Sequence, residues 1–560
     1  MPDETTSPRE LADEFVTTLG ELEPTLPTLY GMDGPHDRMA DLTEAGEAEF
    51  RERFADLGRR AEAIDPATLT PEDATTRAVV IQQADIRIRD LDSKLVEYTV
   101  TDLFIAPASR TLQMLPMIAL PTAELAEAYL GRLAAIPAFL DQAADRHRDG
   151  VAAGRVPVAH LVEAAVKHLD RYLSDPDNDP LTRPAPPDGA LTGFAQRRDR
   201  VLADTVRPAF AAYRDVLADE IAAHGRPADR PGLIWLPGGD ALYADLVRVH
   251  TSTDRTPDEI HQTGLDVIEG LRAEYAELGG QALGTSDLAE IFARLRTDEA
   301  LRWGSADELL DAARHAITRA EAAAPAWFGV LPAQSCEVQA VPEADAANAP
   351  PAYYVPPSLD GERGGVYYAN VDRVTERFRH QAETMAFHEA VPGHHFQVSI
   401  SQELPGLPML RRLADVTAYA EGWGLYSERL ADEMGLYSDG LTRIGMVTAD
   451  SMRAGRLVVD TGLHAKGWSR QQAVDFLAEH TPMAAVEIET EIDRYIAYPG
   501  QALSYMVGRL EIQRIRAAAE AALGDTFDIR GFHDVVLGNG PLPLSVLSDV
   551  VGGWVAGRSG

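Results

Sequence analysis

Long amphipathic stretches, several of them preceded by helix-start signals, run through most of this chain and predict its fold class. Capping boxes begin at Thr256, Ser305 and Ser469, where a hydroxyl residue is followed three positions later by Glu or Gln. Apolar residues then recur every three to four positions, as on one face of an α-helix. Helices are predicted at residues 119–147, 191–226, 256–278, 306–325, 373–391, 411–434, 437–466 and 500–523. The chain is therefore predicted to be mainly α.

Short β-rich runs, separated by Pro and Gly, replace this pattern between residues 333 and 371. They lie at 337–341, 352–355 and 365–370 and predict a small β-sheet directly before the helix at 373–391. An edge strand of such a sheet can pair with the extended backbone of a peptide substrate. Asn370, which ends the last run, is therefore a candidate for substrate binding.

The length of 560 residues exceeds the usual size of a single hydrophobic core, so a two-lobed unit or several domains are expected. A Pro-rich loop at 174–189 precedes a predicted helix and is a candidate lobe boundary. We predict one unit over residues 1–560, with sub-lobes at 1–185 and 186–560.

The composition excludes several classes of function. A net charge of −37 argues against nucleic acids and anionic membranes as partners, because both attract basic surfaces. The only lysines are Lys94, Lys167 and Lys466, and none lies in a P-loop or in a Ser-x-x-Lys nucleophile motif. Neither GxSxG nor GxGxxG occurs. The oligomeric state stays open.

The cysteine content and the N-terminus predict a cytoplasmic protein. Cys336 is the only cysteine, so no intrachain disulfide forms, and its alternating surroundings favour a buried structural thiol. The first 19 residues lack a basic region followed by an apolar one, and no run of 18 apolar residues occurs.

One ten-residue run, HEAVPGHHFQ at 388–397, concentrates three histidines and a carboxylate. Neutral imidazole is a common transition-metal ligand, and a Glu next to a ligand is the usual base for a metal-bound water. In an unbroken helix neither His394 nor His395 would reach a metal held by His388. Pro392 and Gly393 predict a break that turns one of them back, and we favour His394 over His395.

Three further motifs follow this run and give the chain a specific resemblance. They are EGWGLYSE from Glu421, DTGLH from Asp460 and RYIAYPGQALSY from Arg494. In this order the four motifs resemble the bacterial family catalogued as domain of unknown function 885, over nearly the whole chain. That family is similar to gluzincin zinc metallopeptidases of the thimet oligopeptidase and angiotensin-converting-enzyme type. The resemblance implies a large two-lobed helical fold with a deep channel.

The resemblance also implies roles for individual residues. His388 and His394 correspond to zinc ligands, Glu421 to the third ligand and Glu389 to the general base, with one Zn²⁺ per chain. The Pro-Gly insertion departs from the gluzincin HExxH motif, so His395 stays an alternative second ligand. Glu428 is an alternative to Glu421, because it lies seven residues on and on nearly the same helical face.

Candidates for contact with the substrate come from the later motifs. Tyr505 follows the Pro-Gly of the last motif and is predicted to donate to the developing oxyanion, the role that a late-helix tyrosine has in gluzincins. Tyr498 flanks the same segment and is the next choice. Arg494 and His464 are candidates for substrate binding, since arginine suits carboxylate recognition.

The sequence thus predicts a zinc-dependent hydrolase of the metallopeptidase type that acts on short peptides or small amides. One alternative is an amide or ester hydrolase of small-molecule metabolism with the same site. A second alternative is a non-catalytic helical scaffold with structural or metal-storing histidines. The presence of Glu389 argues against the scaffold, because a non-catalytic site needs no base beside its ligand.

Overall fold

The protein is mainly helical, with one small sheet, as the sequence predicts. The computed structural model describes residues 6–346, 349–358, 363–404 and 406–558. Within these ranges, no helix combines the length and the apolar character needed to cross a lipid bilayer.

The chain divides into two compact units. The first comprises Met1–Leu246, Leu463–Gln472 and Ile492–Pro499, and the second comprises Val247–Gly462, Ala473–Glu491 and Gly500–Gly560. The Pro-rich loop at 174–189 lies inside the first unit. The predicted sub-lobes at 1–185 and 186–560 stay a prediction.

The first unit is an assembly of helices. They are α1 Pro8–Leu22, α2 Thr25–Tyr30, α3 Glu44–Glu62, α4 Pro71–Ser93, α5 Pro107–Met114, α6 Ala123–Ala152, α7 Ala159–Ser174, α8 Phe194–Val201 and α9 Arg207–Asp215. Its core contains the apolar faces of α6, α7 and α9, where Leu133, Val162 and Phe210 are fully buried. The predicted helix at 191–226 is present in segments, because π-helical turns follow α8 and α9.

Four helices have residues in both units, and the remaining elements belong to the second. The shared helices are α10 Gly239–Thr251, α19 Gly440–Ala465, α20 Arg470–His480 and α21 Ala485–Ala497. The second unit adds α11 Pro257–Ala282, α12 Leu288–Thr297, α13 Ala306–Ala323, α14 Glu343–Ala346, α15 Ala382–Glu389, α16 His394–Gln402, α17 Met409–Leu413, α18 Thr417–Glu433, α22 Ser504–Leu523, α23 Ile529–Leu537 and α24 Leu544–Ala556.

Helix starts follow the local chemistry of the sequence. The Thr256 hydroxyl accepts from the Glu259 N–H and the Glu259 carboxylate accepts from the Thr256 N–H, so the predicted capping box is complete. The Ser469 box with Gln472 is also complete. At Ser305 the hydroxyl caps the helix, but the Glu308 carboxylate accepts from the N–H of Gly304 instead.

The predicted sheet is present and has three strands. β1 Cys336–Ala340 pairs parallel with the central strand β3 Gly365–Ala369, and β2 Ala352–Val355 pairs antiparallel with β3. Residues 347–348 and 359–362 of the predicted β-rich region lie outside the described residues. Cys336 is partly buried, and burial raises the pKa of its thiol to about 12.

The helix that leads to the histidine motif is shorter than predicted. α15 begins at Ala382 rather than near residue 373, and two 3₁₀ turns precede it. Phe378 is extended because it forms a β-bridge with Arg302, and the Trp303 N–H donates to the Arg377 carbonyl. A tertiary contact therefore overrides the helical pattern of residues 373–381.

Helices α18 and α22 cross at glycines beside the motif residues. A Cβ on Gly422 would lie 2.6 Å from the Gly508 backbone, so only glycine permits this approach. The fully buried Asp450 of α19 forms ion pairs with Arg429 of α18 and Arg509 of α22. These contacts fix the helix that carries Glu421 and Glu428.

Candidate metal site

The predicted helix break separates the two candidate histidine ligands. α15 ends at Glu389 and α16 begins at His394, and Pro392 and Gly393 lie between them. The Val391-Pro392 peptide is cis, and the Pro392 carbonyl accepts from the Trp423 indole N–H at 3.0 Å. The break therefore lets the His388 and His394 rings lie 4.8 Å apart, and the Trp423 hydrogen bond holds Pro392 against α18.

Gly393 is required at this break by close backbone approach. A Cβ there would lie 1.8 Å from the His388 carbonyl oxygen and 2.4 Å from that of Phe387. Backbone atoms cannot move aside as the end of a flexible side chain can. Any larger residue would displace the segment that carries both histidines.

Gly393→Ala is therefore expected to lower the free energy of unfolding by at least ~1–3 kcal/mol, the usual cost of overpacking. Gly270→Ala is the matched control, because a Cβ at Gly270 of α11 meets no atom within 4 Å. In that helix alanine has the higher propensity, so the control should be neutral or stabilising. Thermal unfolding of both variants measures the difference, and equal melting temperatures would contradict the steric role of Gly393.

His388, His394 and Glu421 form a cluster whose ligand atoms all lie within 4.8 Å of one another. Glu421 Oε2 lies 3.5 Å from His388 Nε2 and 3.6 Å from His394 Nε2. The two imidazole rings are nearly perpendicular, with centroids 4.8 Å apart. Two imidazole nitrogens and one carboxylate oxygen thus converge on one point.

The other nitrogen of each imidazole is hydrogen-bonded away from the cluster. His388 Nδ1 donates to Glu428 Oε1 at 2.8 Å, and His394 Nδ1 lies 3.3 Å from Gln397 Oε1. A carboxylate only accepts, so the proton of a neutral His388 is on Nδ1 and the Nε2 lone pair faces Glu421. Gln397 Nε2 is 3.4 Å from the Tyr419 carbonyl, which leaves its Oε1 as the acceptor for His394. This arrangement is typical of histidines that bind a metal.

The electrostatics of the cluster favour a cation. Burial lowers the pKa of His388, but the carboxylates of Glu421 and Glu428, which accept hydrogen bonds from the charged imidazole, outweigh burial and leave this pKa above its ordinary value. Burial opposes ionisation of Glu421, yet both histidines hold its pKa well below the usual range. Carboxylates therefore draw positive charge to the point where the three ligand atoms meet.

Glu389 lies beside the cluster as the last residue of α15. Its carboxylate acts electrostatically on His388 and on His394, in each case favouring the charged imidazole. It also contributes to the raised pKa of Tyr367 in β3, which is due first to burial. Glu389 thus lies within electrostatic range of both histidines and of the central strand, without belonging to the three-residue cluster.

The alternative ligands His395 and Glu428 have other partners. His395 Nδ1 lies 2.9 Å from the Tyr354 hydroxyl, and its Nε2 donates to the Gln334 carbonyl at 3.0 Å. Burial lowers its pKa to about 4. Glu428 is fully buried and contacts the outer nitrogen of His388. Neither residue is part of the cluster.

Tyr505 packs against two arginines of α19. Its partly buried ring is 4.5 Å from the Arg456 guanidinium carbon and 6.0 Å from that of Arg453. Arg453 in turn lies 3.8 Å from Glu428 Oε1, the atom that binds His388. The tyrosine is therefore linked to His388 through two charged residues.

Asn370 holds the loop around the sheet. It is fully buried, and its side-chain nitrogen donates to the carbonyls of Ala346 and Ala349 at 2.7 and 2.9 Å. Its side-chain oxygen accepts from the Asp372 N–H at 3.0 Å. The amide group that was predicted to contact substrate is occupied by backbone partners.

His464, Arg494 and Tyr498 belong to the first unit, whereas the cluster belongs to the second. His464 accepts from the Leu233 N–H and donates to the Tyr495 carbonyl, and burial lowers its pKa to about 3. The Arg494 guanidinium lies 5.0 Å from the Tyr495 ring. Tyr498 lines a largely apolar cavity of about 250 Å³ in the first unit. Their role in substrate binding stays a prediction.

The sequence reasoning missed the residues that orient the ligands. Gln397 lies three positions after His394 in α16, so helical spacing contained the signal. No sequence pattern marks Gly424 as part of the site, although a Cβ there would lie 2.6 Å from the His388 ring. Arg453 approaches Glu428 only through the packing of α19 against α18.

Comparison with known proteins gives the family. A profile described as "Bacterial protein of unknown function (DUF885)" matches residues 24–551. The chain belongs to this family. No curated protein matches it.

Two solved structures share the fold of this DUF885 protein. The putative lipoprotein from Colwellia psychrerythraea is 26% identical, with a TM-score of 0.89, and the match covers 99% of this chain and 100% of that one. A putative lipoprotein of unknown function from Shewanella oneidensis is 17% identical, with a TM-score of 0.74 and coverage of 97% and 99%.

These similarities correct one prediction from the sequence. Both solved structures are described as those of putative lipoproteins, which are proteins of the cell envelope. The prediction of a cytoplasmic protein is therefore wrong. The prediction rested on the absence of a leader pattern and on the single cysteine. Neither feature determines the cellular location of a protein by itself.

Proposed function

We propose that this protein is a zinc-dependent hydrolase that cleaves short peptides. The observation that carries the proposal is the convergence of His388, His394 and Glu421 within 4.8 Å, with Glu389 beside them. Two histidines and one carboxylate are the ligand set of many catalytic zinc sites, which leave one position open.

The residues present fit a zinc ion better than they fit a structural hydrogen-bond network. Each Nε2 is directed to the shared carboxylate, while each Nδ1 has its own partner. A hard ion such as Mg²⁺ prefers oxygen ligands, whereas imidazole nitrogen suits Zn²⁺. We therefore assign one Zn²⁺ per chain to this cluster.

A bound zinc ion would lower the pKa of a water molecule and polarise the carbonyl of the substrate. Glu389 then accepts the proton of the attacking water at a carboxylate oxygen and passes it to the leaving amine. Glu428 keeps the proton of His388 on Nδ1 and fixes the ring, so it is a positioning residue. Each role uses an atom that already lies at or next to the cluster.

We also propose that the protein is similar to gluzincin peptidases and that it shares their two-lobed fold with a deep channel. Support comes from the order of ligand, base, ligand and glutamate along α15, α16 and α18. A channel would admit short peptides and exclude folded proteins. The expected partner is therefore a peptide or small amide substrate.

Metal analysis of the purified protein, followed by digestion of a peptide library, tests the proposal. We expect about one zinc per chain and cleavage of short peptides, with product masses that identify the scissile bond. Removal of single C-terminal residues would indicate a carboxypeptidase, and internal cleavage an oligopeptidase. A zinc-loaded protein that hydrolyses only non-peptide amides or esters would favour the small-molecule alternative.

Tyr505→Phe tests the predicted oxyanion donor. Loss of one such donor typically lowers kcat by ~10²–10³-fold, so we expect that loss with zinc content and KM nearly unchanged. Tyr30→Phe, at an exposed tyrosine of α2, is the control and should retain activity. A lower melting temperature at normal kcat would instead mark Tyr505 as a packing residue of the arginine cluster, and Tyr498 would become the next candidate.

We also propose that the protein works at the cell envelope. The support is its 26% identity, over nearly the full length, to a protein described as a putative lipoprotein. Cell fractionation with an antibody against the chain tests this location. Recovery of the protein only in the cytoplasmic fraction would contradict it.

A further inference from the structure

A cavity of about 150 Å³ lies in the second unit, at the N-terminal end of α15. Its walls are mostly apolar and aromatic. They include Trp303, Leu309, Tyr367, Phe378, Ala382 and Met385. No residue of the zinc cluster lines this cavity, so it is a separate space.

The cavity is lined by residues on the same face of α15 as Glu389. Met385 is four residues before Glu389 and Ala382 is seven before it, so all three side chains share one helical face. The distance along the axis from Met385 to Glu389 is only about 6 Å, one helical turn. Tyr367 provides a second link, because it lines the cavity and its hydroxyl is within the electrostatic influence of Glu389.

The size and the walls of the cavity suit one aromatic ring. An apolar cavity of about 150 Å³ is large enough to bind benzene. Three aromatic side chains, Trp303, Tyr367 and Phe378, line the cavity together with the thioether of Met385. Aromatic pairs and sulfur–aromatic contacts add ~0.3–1.5 kcal/mol each beyond simple burial.

Charged groups of both signs also line the cavity. They are Arg377, whose Nε donates to the Asp372 carbonyl at 2.9 Å, and Glu376 and Glu487. Because a ligand charge of either sign meets both an attractive and a repulsive group, these residues do not select one sign of charge as an all-basic or all-acidic pocket would. The selection is left to the aromatic and apolar walls, which favour a neutral ring.

We propose that this cavity is a specificity subsite that receives an aromatic side chain of the substrate next to the scissile bond. The inference rests on the proposed hydrolase function, and it adds the substrate class. Peptides with Phe or Tyr beside the cleaved bond are the preferred substrates. Alanine at that position leaves the cavity empty.

The first experiment measures ring binding without catalysis. Thermal shift and NMR titration with p-cresol are carried out on the full-length protein and on Ala382→Leu, which narrows the cavity. Ala312→Leu in α13 is the matched control, because Ala312 is half-buried and does not line the cavity. We expect at least tenfold weaker p-cresol binding in Ala382→Leu only. Absence of p-cresol binding to the unmodified protein would overturn the proposal.

The second experiment measures kcat/KM for peptides that differ only in Phe, Tyr, Trp or Ala at the scanned position. We expect the unmodified protein to favour Phe and Tyr over Ala by at least tenfold and Ala382→Leu to lose that preference. Leu309→Ala, which widens the cavity from α13, should shift preference towards Trp. This second variant keeps the test valid if Ala382→Leu does not fold.

The two experiments separate failure of the subsite from failure of the enzyme. Hydrolysis without aromatic preference would overturn the subsite and leave the hydrolase proposal intact. Binding of p-cresol that depends on residue 382, in a protein without hydrolytic activity, would support a ring site and overturn the hydrolase proposal.

Discussion

Glu389→Gln is expected to retain the fold and the zinc but to lower peptide hydrolysis by about 10²–10⁴-fold, the usual contribution of a general base. Glutamine has nearly the same shape and cannot accept the proton of the attacking water. The residue is adjacent to His388 but outside the three-residue cluster, so metal binding should survive the change.

Glu299→Gln is the control for this variant, because Glu299 is an exposed residue of the same unit. The measurements are kcat/KM on the best library peptide, zinc content and melting temperature for both proteins. Unchanged turnover in Glu389→Gln would remove the proposed mechanism. Absence of hydrolysis in the unmodified protein as well would favour the non-catalytic scaffold.

Alanine at His388 or His394 is expected to abolish zinc binding, whereas alanine at His395 should leave about one zinc per chain. Only the first two side chains direct a nitrogen at Glu421, and His395 is bound to Tyr354 and Gln334. Metal analysis after dialysis against a weak chelator measures the difference. Full zinc occupancy in His388→Ala would show that the site has been misplaced.

The two glutamates of α18 should differ in the same assay. Glu421→Gln removes a ligand and should release zinc, as the histidine variants do. Glu428→Gln changes only the partner of His388 and should weaken affinity by ~10–100-fold, the usual effect of an outer-shell residue. Equal losses would contradict the assignment of Glu421 as the ligand and of Glu428 as the residue that positions His388.

Much of the candidate site could be predicted because it depends on residues that are close together in the sequence. Pro392 and Gly393 dictate a break whatever surrounds them, since one lacks an N–H and the other alone tolerates the close carbonyl of His388. Helical spacing also shows that Glu421 and Glu428 share a face of α18 and cannot both be ligands of one ion.

Other features of the fold and of the candidate site could not be predicted from the sequence, because they depend on how the helices and the sheet pack. The choice between His394 and His395 follows from what lies around each ring, namely Glu421 for one and Tyr354 for the other. Asn370 ends a predicted strand and was a candidate for substrate binding, yet its side-chain nitrogen donates to backbone carbonyls nearby. Segment 373–381 has helical periodicity, yet the β-bridge at Arg302 keeps part of it extended.

The sequence by itself determined the helical class, the small sheet, the broken histidine motif and the family. These features depend on residue spacing and on backbone chemistry, which act over a few neighbouring positions. Only the tertiary structure decided which nitrogen atoms meet Glu421, which residues orient them, and that an aromatic-lined cavity follows the Glu389 face of α15. The reason is that these contacts, apart from the one between His394 and Gln397, join residues tens to hundreds of positions apart, and their geometry is set by the packing of whole helices.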